Sequence, residues 1–192
     1  NLSFASTMGA NASAMRWLLQ VCVLLATLIG LPGAGAQTPE RTETIERQVK
    51  AAYLYKFASY VEWPDGAFAQ ADSPLVIGVI GADGLSDELA RSVTGRTTNG
   101  RAVVVRKLRR GDPVAGLHIL YIGQLEKAPL AYILDATKGH PKMTVTASED
   151  AYALGRMINF VVVEDRMRFE VALKPVGLGR LTLSARMLPA AY

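Results

Sequence analysis

Two histidines, one cysteine and a few adjacent carboxylates are the groups in this 192-residue chain that could do chemistry. Their spacing argues against each of them. His118 lies inside the apolar run Leu117–Ile122 and reads as a core histidine, while His140 precedes Pro141 in a turn and reads as exposed. Protein metal sites need clustered His, Cys, Asp or Glu, and no H-E-x-x-H is present. Gly84-Leu85-Ser86-Asp87 lacks the second glycine of a serine-hydrolase elbow. Glu149-Asp150 and Glu164-Asp165 are neighbours in sequence, placed as a helix start and a hairpin turn would place them. Gly78, Gly81 and Gly84 follow an apolar run, but at intervals of three. A dinucleotide loop needs G-x-G-x-x-G with an acid about 20 residues on, where this chain is basic. The loop therefore reads as a glycine-bearing turn. No catalytic residue, metal or cofactor is assigned; an enzyme of an unrecognised kind would have to work through His118.

What remains is binding chemistry. Arg91, Arg96, Arg101, Arg106, Lys107, Arg109 and Arg110 follow one another without an intervening acid. This is either a solvated surface or an edge that meets an anionic lipid, a phosphate ligand or an acidic partner. The aromatic cluster Tyr53, Tyr55, Phe57, Tyr60 and Trp63 has the spacing of a buried stripe, with Tyr55 and Trp63 placed to fall off it and anchor an interface. No recognition helix or basic–aromatic weave suggests nucleic acid.

The N-terminal residues read as targeting sequence. Met15-Arg16 opens a basic start, Trp17–Leu31 is a largely apolar run interrupted by Gln20, Pro32-Gly33 break it, and Ala34-Gly35-Ala36 supplies a cleavage site before Gln37. The run falls short of the roughly 20 residues a membrane span needs. Asn1–Ala14 are read as upstream sequence without a structural role. Cys22 lies inside the apolar run, and Gln20-Val21 do not fit a lipoprotein signal, so the expected mature chain has no thiol. That chain carries 20 basic and 17 acidic residues, too balanced for its net charge to name a partner. Half of all residues are apolar and 20% charged, enough to bury a core and too few charges for a disordered polyelectrolyte.

These groups must be positioned by a folded domain over residues 37–192, with no linker long enough to divide it. Gln37–Arg47 reads as a mobile polar lead-in. Ile45, Val49, Ala52, Tyr53, Phe57, Tyr60 and Val61 recur at helical spacing, and Trp63-Pro64 stops the helix near Glu62. Strands are expected at Leu75–Ile80, Ala102–Leu108, Leu117–Ile122 and Met143–Ala147, and helices at Leu85–Val93 and Pro129–Ala136, with a loop over Thr94–Gly100. Ser148 is placed to cap a short helix closed by Gly155. Met157–Val163 and Met167–Leu173 flank a hairpin turn. The tail from Lys174 reads as irregular or short helical structure. Strands alternating with helices, then a hairpin, predict an α/β fold: a mixed sheet with helices on both faces and a C-terminal antiparallel hairpin.

The ordered segments resemble a known family. Ala51-Ala52-Tyr53-Leu54-Tyr55-Lys56-Phe57-Ala58-Ser59-Tyr60-Val61-Glu62-Trp63-Pro64, Leu75–Gly81, Leu117–Ile122, Gly155-Arg156-Met157-Ile158-Asn159-Phe160-Val161, Arg168–Val171 and Leu183–Leu188 are similar, in order, to the motifs of the YfiR/HmsC-like family. The resemblance implies a three-layer Rossmann-like sandwich without the nucleotide fingerprint, in a periplasmic protein that is often a dimer. It implies binding to the sensor domain of an inner-membrane diguanylate cyclase, holding cyclic-di-GMP and biofilm formation low. Two departures stand out. Some members carry redox-sensitive disulfides, which a thiol-free mature chain lacks. The family often has Asn after F-E-[IV], where this chain has Ala172, followed by Pro175 and Gly177.

The residues expected at a partner surface are Tyr55, Trp63, Arg106, Arg109, Arg110, Arg166 and Arg168. Arg156 and Asn159 join them from the family-like stretch, with a structural hydrogen-bond role as the alternative. Besides repression of a cyclase, the residues leave open a periplasmic module or transport accessory that binds a small anionic ligand.

Overall fold

Continuous runs of Val, Ile and Leu suit strands covered on both faces, and the computed structural model, which describes residues 39–190, places them at the centre of a sheet. The elements are α1 (Pro39–Tyr60), β1 (Val61–Glu62), β2 (Leu75–Ile80), α2 (Asp83–Val93), β3 (Thr97–Thr98), β4 (Arg101–Leu108), β5 (Ile119–Ile122), α3 (Lys127–Thr137), β6 (Met143–Thr146), a 3-10 turn (Glu149–Ala151), β7 (Ile158–Val163), β8 (Arg166–Val171), α4 (Leu173–Leu178), β9 (Thr182–Leu183) and a 3-10 segment (Ala185–Ala190). The main sheet has the order β3-β4-β2-β5-β6-β7-β8. β4, β2, β5, β6 and β7 run parallel, and β3 and β8 are antiparallel at the two edges. β1 and β9 form a separate antiparallel pair, Val61 opposite Leu183.

The period-two alternation of β5 shows the layering. Ile119 and Tyr121 pack with Leu54 and Phe57 of α1 and Leu85 and Leu89 of α2, whereas Leu120 and Ile122 pack with Leu130, Ile133 and Leu134 of α3. The sheet is thus sandwiched between helices, the α/β architecture expected from the sequence. Gly78 in β2 makes room for Leu117 on the α3 face: a Cβ there would come within 2.6 Å of a Leu117 methyl, which would have to move.

Several local expectations are corrected. The polar stretch before Arg47 is helix from Pro39 on, not a lead-in. Proline suits a first helical position, and Glu46–Lys50 (2.5 Å) and Glu43–Arg47 (3.9 Å) are spaced i, i+4 with the acid N-terminal, the favourable order. The helix ends at Tyr60 rather than Glu62, because Val61 and Glu62 are drawn into pairing with β9. Its buried face is Ala51, Leu54, Phe57 and Ala58, rotated from the expected stripe, with Ala52 and Ile45 exposed. Aromatic contacts of Tyr53 and Phe57 with Phe160 and Phe169, mostly tilted or edge-to-face with centroids 4.9–5.9 Å apart, hold that rotation. The loop expected over Thr94–Gly100 contains β3, folded onto β4 by an Asn99-Gly100 turn with positive φ at both residues. The hairpin turn is Glu164-Asp165 alone, also with two positive φ values, and Val163 faces Arg166. Ser148 makes no side-chain cap; its N–H donates to Asn159 Oδ1 instead.

The leader and the cleavage after Ala36 lie outside the described residues. Among those described, no helix is long and apolar enough to cross a membrane.

Candidate functional site

In an open parallel sheet, ligands bind beyond the carboxyl ends of the strands, where the strand order reverses. Here the chain passes from β2 outward to β4 and then back to β5, so the reversal lies between β2 and β5. The loops leaving those strands stay in contact: Gly123 N–H donates to the Ile80 carbonyl at 2.8 Å, and Gln124 N–H to the Gly81 carbonyl at 3.1 Å. A Cβ on Gly123 would sit 2.3 Å from the Gly81 carbonyl oxygen, so only glycine allows this approach.

Above that floor is a crevice of about 850 Å³. The N-terminal half of α1 forms one wall, with Glu43, Glu46, Arg47 and Lys50. The opposite wall is Ala147–Glu149 and the β7–β8 hairpin, which contributes Asn159–Val162 and Met167. The hairpin can stand up as a wall because β6 ends at Thr146, level with Asn159, while β7 continues to Val163.

The polar groups of the crevice are specifically arranged. Lys50 bonds Glu46 and lies against the hydroxyl of Tyr121, a residue only 3% exposed. Burial pushes the Tyr121 hydroxyl above the usual phenol range, and Lys50 pulls the other way. Asn159 is 2% exposed; its Oδ1 accepts from Thr146 Oγ1 at 2.7 Å and from Ser148 N–H at 3.1 Å. Arg47 lies on the first turn of α2, so close that a Cβ on Gly84 would be 2.7 Å from its guanidinium.

The residues expected at a partner surface fall in three places. Tyr55 and Trp63 lie near the N-terminal end of the sheet and are half-buried. The Tyr55 hydroxyl donates to the Thr97 carbonyl at 2.9 Å, and Arg96 lies 5.5 Å above its ring. Trp63 meets His118 and Phe68 edge-on, and its Nε1 is buried without a partner. Arg106 lies on β4 and Arg109 and Arg110 directly follow it, the last two exposed. Arg166 and Arg168 lie on β8, Arg166 exposed. β4 and β8 are five strand steps apart, about 24 Å at 4.8 Å per step, so their cations form two surfaces. Arg156 is 3% exposed and pairs with Glu170, and Asn159 is equally buried, so both brace the hairpin from inside.

The run of cations is also less free than it reads. Lys107 bridges Asp83 (3.0 Å) and Asp87 (3.6 Å), Arg91 pairs with Glu88, and Arg101 bonds the Gln70 and Ser73 carbonyls. The acids come from other segments, which a scan along the chain does not bring together.

The model of the YfiR/HmsC-like family matches residues 47–191. The chain belongs to the YfiR/HmsC-like family. The match begins at Arg47 and takes in most of the crevice, including the strand-end loops, Tyr121, Asn159 and the hairpin. Glu43 and Glu46 precede it. The family is a regulatory one.

Sequence reasoning missed Arg47, Lys50, Tyr121 and Gln124 as site residues. Glycines directly after two apolar strands, Gly81 and Gly123, were the available signal. Their meaning depends on β2 and β5 being neighbours, which becomes visible only with the strand order.

Proposed function

We propose that this protein is a periplasmic regulator that binds the sensor domain of an inner-membrane diguanylate cyclase and holds it inactive, limiting cyclic-di-GMP and biofilm formation. The observation that carries this reading is the family match across residues 47–191. Export by a leader cleaved after Ala36 belongs to the same proposal; N-terminal sequencing of the periplasmic protein tests it. The physical requirement is differential affinity: to lower cyclase activity, the regulator must bind the inactive receptor state more tightly, and a tenfold preference corresponds to about 1.4 kcal/mol.

The partner surface is assigned to Tyr55, Trp63, Arg106, Arg109, Arg110, Arg166 and Arg168, with Arg156 and Asn159 bracing the hairpin behind it. Arg109 with Arg110, and Arg166, are the exposed cations at the two surfaces. Deleting the protein is expected to raise cyclic-di-GMP, and the membrane cyclase is expected to co-purify with it. Reversal to Glu at Arg166, compared with reversal at Arg109 and Arg110, identifies the surface that docks. Unchanged cyclic-di-GMP on deletion overturns the reading. Sedimentation of the mature protein tests the homodimer implied by the family.

A second reading has its own observation: the 850 Å³ crevice at the strand-order reversal has the size and position of a small-molecule site. It expects a ligand-dependent rise in melting temperature with no protein partner present.

A further inference from the structure

The N-terminal end of a helix carries a partial positive charge and unpartnered N–H groups, so a cation belongs at the other end. α2 breaks this rule. No side chain caps it, and the guanidinium of Arg47, from another helix, lies against its first turn at Gly84. The first-turn acid, Asp83, bridges to Lys107 on β4. Arg47 is held in place by its own helix, donating to Thr44 Oγ1 at 3.1 Å with Glu43 at 3.9 Å. Two positive features thus converge on one corner of a crevice whose lining also holds Glu43, Glu46, Asp83 and Glu149, and within that corner the arrangement becomes favourable when an anion sits between them.

A second observation comes from the opposite wall. Asn159 is almost fully buried, and both donors to its Oδ1 are protein groups, one of them a backbone N–H, which fixes the orientation of the amide. The hydrogen bonds of the side chain to the described protein are these two, both at Oδ1, and the residue lines the crevice, which leaves Nδ2 available on that side. A buried donor left open to a cavity is a place for a ligand acceptor.

We propose that the crevice binds a small organic anion, a carboxylate or phosphate monoester, whose acid group lies between Arg47 and the first-turn N–H groups of α2 and whose body extends toward Asn159. The proposal rests on the crevice being a ligand site and specifies its chemistry.

The test titrates the protein with glycerol 3-phosphate and with succinate, following melting temperature and calorimetric heat into the millimolar range, because fragment-sized probes bind weakly. One or both are expected to bind. The tighter of the two tells phosphate from carboxylate. Arg47→Gln is expected to weaken binding about tenfold or more, and raised salt to weaken the wild type. Asn159→Asp keeps both accepted hydrogen bonds but replaces the donor with a negative charge, and is expected to abolish binding while the protein stays folded by circular dichroism. Binding lost in Asn159→Asp but unchanged in Arg47→Gln overturns the anion subsite and leaves the crevice reading standing. Binding indifferent to both variants, or absent altogether, overturns both. None of these outcomes depends on the cyclase, so they separate from the regulatory reading.

Discussion

The two ends of the parallel strands meet solvent in opposite ways. At the N-terminal end, Phe68 is sandwiched between the imidazole of His118, 4.2 Å away, and the guanidinium of Arg101, 3.7 Å away. The Val76 N–H donates to His118 Nδ1 at 3.1 Å, so the ring proton is on Nε2, which donates to the Ala67 carbonyl at 3.1 Å. Arg101 donates to two carbonyls of the same 64–74 segment. Trp63 Nε1 is the exception in an otherwise satisfied network. At the C-terminal end the polar groups surround a cavity instead: Arg47 sits against the N-terminal end of the α2 dipole, and Asn159 lines the crevice. The contrast places a packed aromatic–cation stack at one end of the sheet and an open crevice at the other.

The sharpest way to break this contrast is to remove the stack. Phe68→Ala deletes the contact between His118 and Arg101 and frees the 64–74 segment, at an expected cost of about 2–3 kcal/mol for a partly buried aromatic. In a protein of this size that is a fall of roughly 4–12 °C in melting temperature. Arg47→Gln at the other end is expected to change melting temperature by less than about 2 °C. Equal losses from the two substitutions would erase the distinction.

The same stack sets a pH dependence. Burial lowers the His118 pKa below its usual 6.5, and Arg101 and Lys142 nearby push the same way, while the hydrogen bond to Ala67 opposes them. Between the folded and unfolded values the unfolded chain binds more protons, so stability falls as pH drops below about 6.5 and is fully present above it. Urea midpoints measured from pH 7.5 to 5 are expected to fall in wild type and to fall less in His118→Gln. A steeper fall in the variant would contradict the buried neutral imidazole.

The sequence made the stable end largely readable. Apolar continuity marked β2 and β5, and a histidine inside such a run read as core, because burial leaves its trace in local composition. The crevice was harder to read, because its parts meet through strand order. Glu46 and Lys50 belong to a helix whose first turns read as a polar lead-in, and Gly123 gains meaning only against the Gly81 carbonyl. The basic run misled for the same reason: Asp83 and Asp87 neutralise Lys107 from across the β2–α2–β4 unit.

A smaller effect lies beside the hairpin wall. Ala172 is the N-cap residue of α4 and offers no side-chain acceptor, whereas the family often has Asn there. Ala172→Asn is expected to stabilise by about 1 kcal/mol, or roughly 2–4 °C, read as a rise in melting temperature. Since α4 lies outside the crevice lining, probe binding is expected to stay constant. A change in binding would mean that the crevice wall and α4 are coupled.

The smallest change in stability carries the most information. Gly84 is the second residue of α2, where alanine is intrinsically favoured over glycine by up to about 1 kcal/mol. Its neighbours in the way of a Cβ are the guanidinium nitrogen and Cδ of Arg47, at 2.7 and 3.2 Å, the far part of a flexible side chain rather than backbone. Gly84→Ala should therefore fold without strain by swinging Arg47 away, which also removes a cation from the positive end of the helix. Melting temperature is expected to hold or rise by about 1–3 °C while anion binding weakens about tenfold. If Gly84 were needed only for packing, the same substitution would lower the melting temperature and leave the titration curve where it was.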